Sequence, residues 1–343
     1  MTGRARRDYR RGVVDIEQIN PRNEAALKAW WDVGHAATAD RPGKPWPLWE
    51  QSRVALTAPN PERDVALFGA IEGRRMVGAG MVLLPTRDNA HLAGAEVYVD
   101  PDRRREGIGS ALLAEAEVLA LGHGRTTLTG EAYVPPGGTA AAEPFALGRG
   151  FAVATRESIK ELTTSDYLER RDALAAGLAG AGQGYSLVTF DTVCPEEHVE
   201  SFGRLLGMLV SEIPLGDLDL EASEWSVERV RAAEQRQVAT GRHVHTALAI
   251  APDGTVAGVS DVRVDDTDHT HALVGITIVD PAHRGHRLGL ALKVATHDLV
   301  LATYPDLRTV ETSNAEVNTW MNAVNEALGY RTTETLLELQ KRL

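Results

Sequence analysis

Arg104-Arg105-Glu106-Gly107-Ile108-Gly109 follows a strand-like run and opens a helix-like one. Glycines at such a turn let the backbone approach a ligand and present successive N–H groups. A helix N-terminus adds about half a positive charge and unpaired donors. The chemistry this turn supports is a pyrophosphate cradle. The alternative is a strand–helix turn that is merely rich in glycine. A dinucleotide site fits less well, because it needs GxGxxG and an acidic residue about 20 positions on. A nucleotide P-loop needs Gly-Lys-Ser/Thr, which the sequence lacks.

The elements that must position this turn occur twice. VYVDPDRRREGIGSALL (97–113) and TIVDPAHRGHRLGLALK (277–293) both run apolar strand, Asp-Pro, basic turn, glycine step, helix. Aligning Pro101 with Pro281 also aligns Arg104 with Arg284 and Gly109 with Gly289, an offset of 180 residues. A period this long indicates a duplicated domain rather than a solenoid. Alternating apolar runs at 65–73 and 75–85, and at 245–264 around Pro-Asp-Gly, predict antiparallel hairpins before each copy. Strand-like segments follow each copy, at 126–134 and 308–313. Each half then has a short helix ending in Gly-aromatic (Gly150-Phe151, Gly329-Tyr330), with the glycine at C′. Helices are expected near 23–37 and 195–210. The segment 165–184 reads as a linker helix, N-capped by Ser165, that runs into an Ala/Gly-rich turn. The predicted organisation is a domain over 12–164, a linker over 165–184 and a domain over 185–343.

Composition agrees with two globular domains. The chain has 343 residues, of which 43% are hydrophobic and 24% charged, and that excludes a mostly disordered protein. The net charge of −12 argues against nucleic-acid binding, even through Arg103–Arg105, and suits a cationic small molecule better. Cys194 is the only cysteine, so no intrachain disulfide forms. The basic start MTGRARRDYRR has no apolar run after it, unlike a secretory signal. The longest nearly unbroken apolar stretch, 76–85, is too short to span a membrane. The expectation is a cytoplasmic monomer or homodimer without membrane or nucleic-acid partners. Histidines pair at His243/His245, His269/His271 and His283/His286, but no cysteine or carboxylate pattern completes a metal site.

Arg104-x-x-Gly107-x-Gly109, after Val97-x-Val99-x-Pro101, resembles the acyl-CoA signature of the GNAT (Gcn5-related) N-acetyltransferase superfamily. With 283–293 and 312–330, the likeness extends to tandem GNAT proteins and covers nearly the whole chain beyond about residue 12. The resemblance implies an α/β (α+β mixed sheet) fold of two tandem acyl-CoA N-acyltransferase domains, each a splayed mixed sheet flanked by helices. Acetyl-CoA would be the cosubstrate, with no metal. It would lie in the gap between splayed strands, against bulged strands at Val97–Val99 and Thr277–Val279. Its pyrophosphate would meet Arg104, Arg105, Gly107, Ile108, Gly109 and Ser110, or Arg284, Gly285, His286, Arg287, Leu288, Gly289 and Leu290. The family often places Asn eleven, and Tyr four, residues before the Gly-aromatic glycine. Copy one has Thr139 and Ala146 there, and Pro135-Pro136-Gly137-Gly138 predicts a loop where the helix should begin. Copy two has Asn318, which matches the pantetheine-contacting amide, and Asn325 in place of tyrosine. Arg287 takes the first-glycine slot, where its side chain either clashes with the cradle or points out and binds phosphate.

N-acetyl transfer is direct attack of a neutral amine on a thioester, so a base must first deprotonate the ammonium. Glu96 is a candidate base in copy one, and an exposed strand residue is the alternative. The aligned Ile276 of copy two cannot act, which leaves Glu212, Asp217, Asp261 and His271 as dispersed candidates. The acidic stretch 211–225 either lines an acceptor site or forms a solvated loop. Asn314, Asn318, Asn322 and Asn325 are spaced for one helical stripe. Cys194 reads as structural. The function implied is acetyl-CoA-dependent acetylation of a small primary amine by direct transfer. One half would be catalytic, the C-terminal one by resemblance to tandem members with a silent N-terminal half, with Glu96 and Asn325 as catalytic candidates. The alternatives are a non-catalytic acyl-CoA sensor or scaffold, and as acceptor a mycothiol-precursor-like amino-sugar conjugate or an aminoglycoside.

Overall fold

The computed structural model describes residues 14–41 and 46–343, so the basic start and the first residues of the predicted 12–164 domain lie outside the described residues. The chain forms two compact units, and neither is contiguous in sequence. Among the described residues unit 1 comprises 14–41, 46–132, 140–153 and 338–343, and unit 2 comprises 133–139 and 154–337.

Unit 1 begins with β1 (Asp15–Ile19), α1 (Glu24–Thr38) and α2 (Trp49–Thr57). Asn23 caps α1 by accepting the Ala26 N–H, as Asn does at helix starts. The predicted hairpin is β2 (Arg63–Glu72) and β3 (Arg75–Pro85), followed by β4 (Leu92–Val99), α3 (Ile108–Gly122), β5 (Thr127–Val134) and α4 (Ala142–Leu147). Strands β1 to β4 are antiparallel neighbours, and β5 joins β4 in parallel. Leu27, Trp30 and Val33 of α1 pack on Leu67, Ala79 and Met81 on one face of the sheet. Helix α3 covers the other face, where a Cβ on Gly78 would lie 2.8 Å from Ile108. The glycine is what lets the helix come so close.

Unit 2 repeats this order. Strand β6 (Ala152–Thr163) leads into α5 (Thr164–Gly177), β7 (Ser186–Asp191), α6 (Val199–Gly207), α7 (Leu209–Glu212) and α8 (Val227–Ala239). Then come β8 (Arg242–Ile250), β9 (Val256–Asp265), β10 (Asp268–Val279), α9 (Leu288–Thr303), β11 (Thr309–Ala315), α10 (Thr319–Leu328) and β12 (Arg331–Arg342). β7 to β10 are antiparallel, and β11 joins β10 in parallel. Gly258 lies under Leu292 of α9 as Gly78 lies under α3, again at an offset of 180 residues. The single helix expected over 195–210 is two short ones. The linker helix starts two residues earlier than expected: Thr163, extended in backbone, caps it in place of Ser165 by accepting the Asp166 N–H.

The units differ from the contiguous halves 12–164 and 185–343 because each sheet takes its last strand from the other half of the sequence. From Ala154 onward β6 belongs to unit 2, where it pairs antiparallel with β11 from Thr309↔Thr163 to Ala315↔Glu157. The chain end 338–343 belongs to unit 1, where the Leu343 N–H donates to the Thr126 carbonyl and Arg342 to the Thr127 hydroxyl.

Leu339, 3% exposed, lies in this exchanged end. Leu339→Ala is expected to destabilise unit 1 by about 2–4 kcal/mol. Hydrogen exchange should report it as faster exchange in β5. Faster exchange confined to β11 and α10 would contradict the assignment of these residues to unit 1.

Candidate active site

The two basic turns share one backbone. At the end of β4 the Asp100 side chain accepts the Asp102 N–H, and Pro101–Arg103 form a single 3₁₀ turn. Asp280 and Pro281–His283 do the same after β10. Two left-handed residues then follow, one residue apart. They are Arg105 (φ +70°) and Gly107 (φ +89°) in unit 1, and Gly285 (φ +87°) and Arg287 (φ +58°) in unit 2. Helices α3 and α9 begin immediately after, with first-turn amides that have no intrahelical acceptor. A Cβ on Gly107 or Gly285 would meet no atom within 4 Å, so both turns are open at these residues. Amide-lined, open and at a helix start, both fit a pyrophosphate. Arg287 neither clashes nor points into the cradle. Its guanidinium donates to the Gly177 carbonyl at the end of α5, 2.7 Å away.

Behind each turn the parallel strands part. β4 and β5 pair only over Leu92–Gly94, and β10 and β11 only over His271–Leu273. Bulges expected at Val97–Val99 and Thr277–Val279 are at neither place: β4 has none there, and in unit 2 the bulge falls just before the expected residues, at Gly275–Ile276. β4 pairs with β3 residue for residue from Gly94↔Leu83 to Val99↔Gly78, so Val97–Val99 is regular. In β10 the register shifts between Val274↔Val262 and Thr277↔Ser260, which leaves Gly275 and Ile276 opposite the single residue Asp261.

Most of the arginines expected on phosphate have protein partners. Arg104 donates to the Ala37 carbonyl at 2.8 Å, and Arg284 pairs with Glu212. Arg103 is held by Glu72 and Glu106, so the basic run is partly neutralised. Arg105 is exposed. Sequence reasoning missed Arg149, which donates to the Ser110 hydroxyl in the first turn of α3 and stacks 3.8 Å over Phe145. In unit 2 the His286 ring lies against Tyr185, and its carbonyl accepts the Gly182 N–H from the Gly-rich turn after α5. Thr277 shares a hydrogen bond with Ser260, while Val279, Leu288 and Leu290 pack into the core.

Glu96 is half-buried and accepts a 2.6 Å hydrogen bond from the Tyr98 hydroxyl. Burial raises its pKa above the ordinary glutamate value, against the lowering effect of Tyr98. Trp46 packs edge-on to Tyr98.

The asparagines do not form one helical stripe. Asn314 ends β11, Asn318 caps α10 by accepting the Met321 N–H, and Asn322 and Asn325 lie on α10. Asn325 is fully buried and accepts from Lys293 at 2.8 Å while donating to Asn314. Its amide is thus engaged inside the fold. Asn314 and Asn322 both accept from Lys160. Sequence reasoning missed the two lysines. The available signal was Lys293 and His297, four apart on the same side of α9 as its apolar residues. No carboxylate offsets the charge on Lys293, and burial with the nearby Lys160 brings its pKa down to about 7. His297, between the Lys293 carbonyl and the Tyr330 hydroxyl, is held neutral by burial.

The other candidates are dispersed. Asp261 is buried at the bulge, His271 bonds Thr309, and the Asp217 N–H donates to Ala154. Burial pushes the Cys194 thiol up to about 12, so it is no nucleophile at neutral pH. Among the described residues no group of three or more His, Cys, Asp or Glu could hold a metal ion, and no helix is long and apolar enough to cross a membrane.

Residues 29–151 match the profile of the acetyltransferase (GNAT) family. Curated protein sequences give no match. Among solved structures the chain is similar to a tandem GNAT protein from the clavulanic acid biosynthesis pathway, in a structure without AcCoA. The two are 30% identical over 96% of this chain and 98% of that one, with a TM-score of 0.80. It is also similar in fold to a GCN5-related N-acetyltransferase from Sphaerobacter thermophilus, at 16% identity, 96% and 95% coverage and a TM-score of 0.66.

The buried lysine gives a stability signature. Unfolded, Lys293 titrates near 10.5, and folded it titrates near 7, so between these values the unfolded chain binds the extra proton. Stability should therefore rise as pH increases from about 7 towards 10, by up to ~1.4 kcal/mol per pH unit from this group. Urea unfolding of wild type and Lys293→Met across that range checks it: the variant should lose the slope.

Proposed function

The chain belongs to the GNAT acetyltransferase family in its tandem form, and we propose that it transfers an acetyl group from acetyl-CoA directly to a primary amine of a small cationic molecule, with unit 2 as the working half. The observation that carries this reading is the bulge at Gly275–Ile276, set where β10 leaves β11. Bulges re-aim backbone groups and gather beside active sites. Unit 1 has the same open turn and the same parting of strands, but a regular strand.

Acetyl-CoA supplies the activated acyl group. The first-turn amides of α9, with Gly285 and Gly289, hold its pyrophosphate. The unpaired edge of Thr277–Val279 receives the pantetheine arm, and Asn318 stands at the start of α10 beyond β11. The amine nitrogen attacks the thioester carbonyl, the C–N bond forms, the C–S bond breaks, and the thiolate takes up the proton that the amine gives away. A backbone N–H aimed at the developing oxyanion lowers this barrier. The negative total charge suits an acceptor that arrives as an ammonium ion. Amino-sugar conjugates and aminoglycosides both belong to that class.

A second reading has support from Glu96. A half-buried carboxylate of raised pKa, hydrogen-bonded to Tyr98, is what a general base in unit 1 would be.

Thiol release from acetyl-CoA across a panel of primary amines tests the activity itself. Gly289→Glu puts a carboxylate in the unit 2 cradle and is expected to raise KM for acetyl-CoA by about 100-fold, the scale of an unpaired charge. Gly109→Glu should leave turnover in place. The reverse pattern would move catalysis to unit 1, and binding without turnover of any amine would favour an acyl-CoA sensor.

The Glu96 reading has its own outcome. If unit 1 works through this carboxylate, Glu96→Gln lowers kcat by about 10²–10⁴-fold. Tyr98→Phe removes the donor that holds the carboxylate pKa down, so the acid limb of kcat/KM shifts to higher pH. With unit 2 as the working half, neither variant changes kcat or its pH profile.

A further inference from the structure

We infer that Asp261 is a positioning residue that holds the β10 bulge in the form acetyl-CoA requires; the inference rests on the reading that unit 2 binds acetyl-CoA. The register places two residues of β10, Gly275 and Ile276, against this one residue of β9. A bulge disrupts the ladder locally, and buried amides without partners are costly. The backbone amides of Gly275 and Ile276 both act on the Asp261 carboxylate, lowering its pKa against the raising effect of burial. The carboxylate has the complementary difficulty. It is 5% exposed, and a buried carboxylate needs donors. Its cationic neighbour is Arg263, whose Nε lies 3.3 Å from Oδ1 in a geometry that makes no hydrogen bond. The bulge therefore sets two amides beside a buried carboxylate whose Oδ1 has no other partner.

Two further observations support this. A Cβ on Gly275 would lie 2.1 Å from Asp261 Oδ1, so the carboxylate occupies the space that a side chain there would fill. Unit 1 acts as an internal control. The residue aligned with Asp261 is Met81, an apolar residue 9% exposed, and it pairs one-to-one with Glu96 in a strand without a bulge. Where the acid is present the strand bulges, and where it is absent the strand is regular.

The test is calorimetry with acetyl-CoA, together with hydrogen exchange and steady-state kinetics, on the full chain. Asp261→Leu removes the acceptor and is expected to weaken acetyl-CoA binding in unit 2 by about 10-fold or more. The amides of β10 around the bulge should exchange faster. Asp261→Asn keeps a side-chain carbonyl and should restore affinity to within about threefold of wild type, which a general-base role would not allow for kcat. A second pair of variants covers the case in which Asp261→Leu does not fold. Asp261→Met combined with deletion of Gly275 copies the regular strand of unit 1. It should recover stability relative to Asp261→Met alone without recovering acetyl-CoA affinity. Wild-type affinity in Asp261→Leu, or in the deletion variant, overturns the inference. If Gly289→Glu leaves acetyl-CoA binding unchanged, the underlying reading of unit 2 has failed instead, and that outcome is recognised before any Asp261 variant is made.

Discussion

Two parallel strands that pair for three residues and then part leave backbone N–H and C=O groups inside a sheet with no strand to meet. In unit 1 these groups begin beyond Gly94 and Thr129, and in unit 2 beyond Leu273 and Glu311. A sheet interior does not tolerate such an edge unless water or a ligand satisfies it. The remaining features of each unit follow from that gap. Its mouth is the turn after β4 or β10, where the chain must reverse into a helix lying on the sheet. Gly78 and Gly258 let that helix settle close against β3 or β9. The first amides of the helix, which have no intrahelical acceptor, follow directly on that turn. A ligand with an anionic end and an amide-bearing arm meets both sets of unpaired groups at once.

The two units keep this backbone and differ in what decorates it. Unit 1 has an acid and a phenol on its central strand, Glu96 and Tyr98, whereas Ile276 and Ile278 stand at the aligned positions of unit 2. The buried acid of unit 2 stands one strand away, at Asp261, and it coincides with the bulge. The interior beyond β11 departs further. There Lys160, Lys293 and three asparagines form a hydrogen-bonded set. Such a set is sensitive to removal of any one member, since each remaining donor or acceptor would be left buried and unpaired.

The sequence made the duplication, both hairpins, the Asp-Pro turns and the helices after them legible, because each rests on local chemistry. Apolar alternation, Asx capping and glycine at positive φ act within a few residues. The exchange of last strands was not legible. β6 and β12 have the same alternating pattern whichever sheet receives them, and the choice depends on contacts more than a hundred residues away. The asparagines misled for a related reason. Spacings of 4, 4 and 3 fit a helix, but Asn314 ends a strand and Asn318 caps, so only Asn322 and Asn325 are helical. Lys293 was overlooked because a lysine is normally placed at the surface. The bulge left only a faint trace, a glycine inside an apolar strand.

The turn before each helix shows what duplication preserves. Left-handed conformation is required at two positions, one residue apart, and glycine adopts it with least strain. Unit 1 has its glycine at the second position and an arginine at the first, whereas unit 2 has them reversed. Each unit therefore tolerates one non-glycine residue in a conformation that costs about 1–2 kcal/mol for an L-residue. For Arg287 the hydrogen bond to Gly177 offsets part of that cost and draws the side chain out of the cradle. Arg105 has the same backbone with an exposed side chain. A motif search that fixes glycine at one slot finds the first copy and passes over the second. The physical requirement is a pair of positive φ angles ahead of a helix start, and the identity of the residue at either angle can vary so long as its side chain has somewhere else to go.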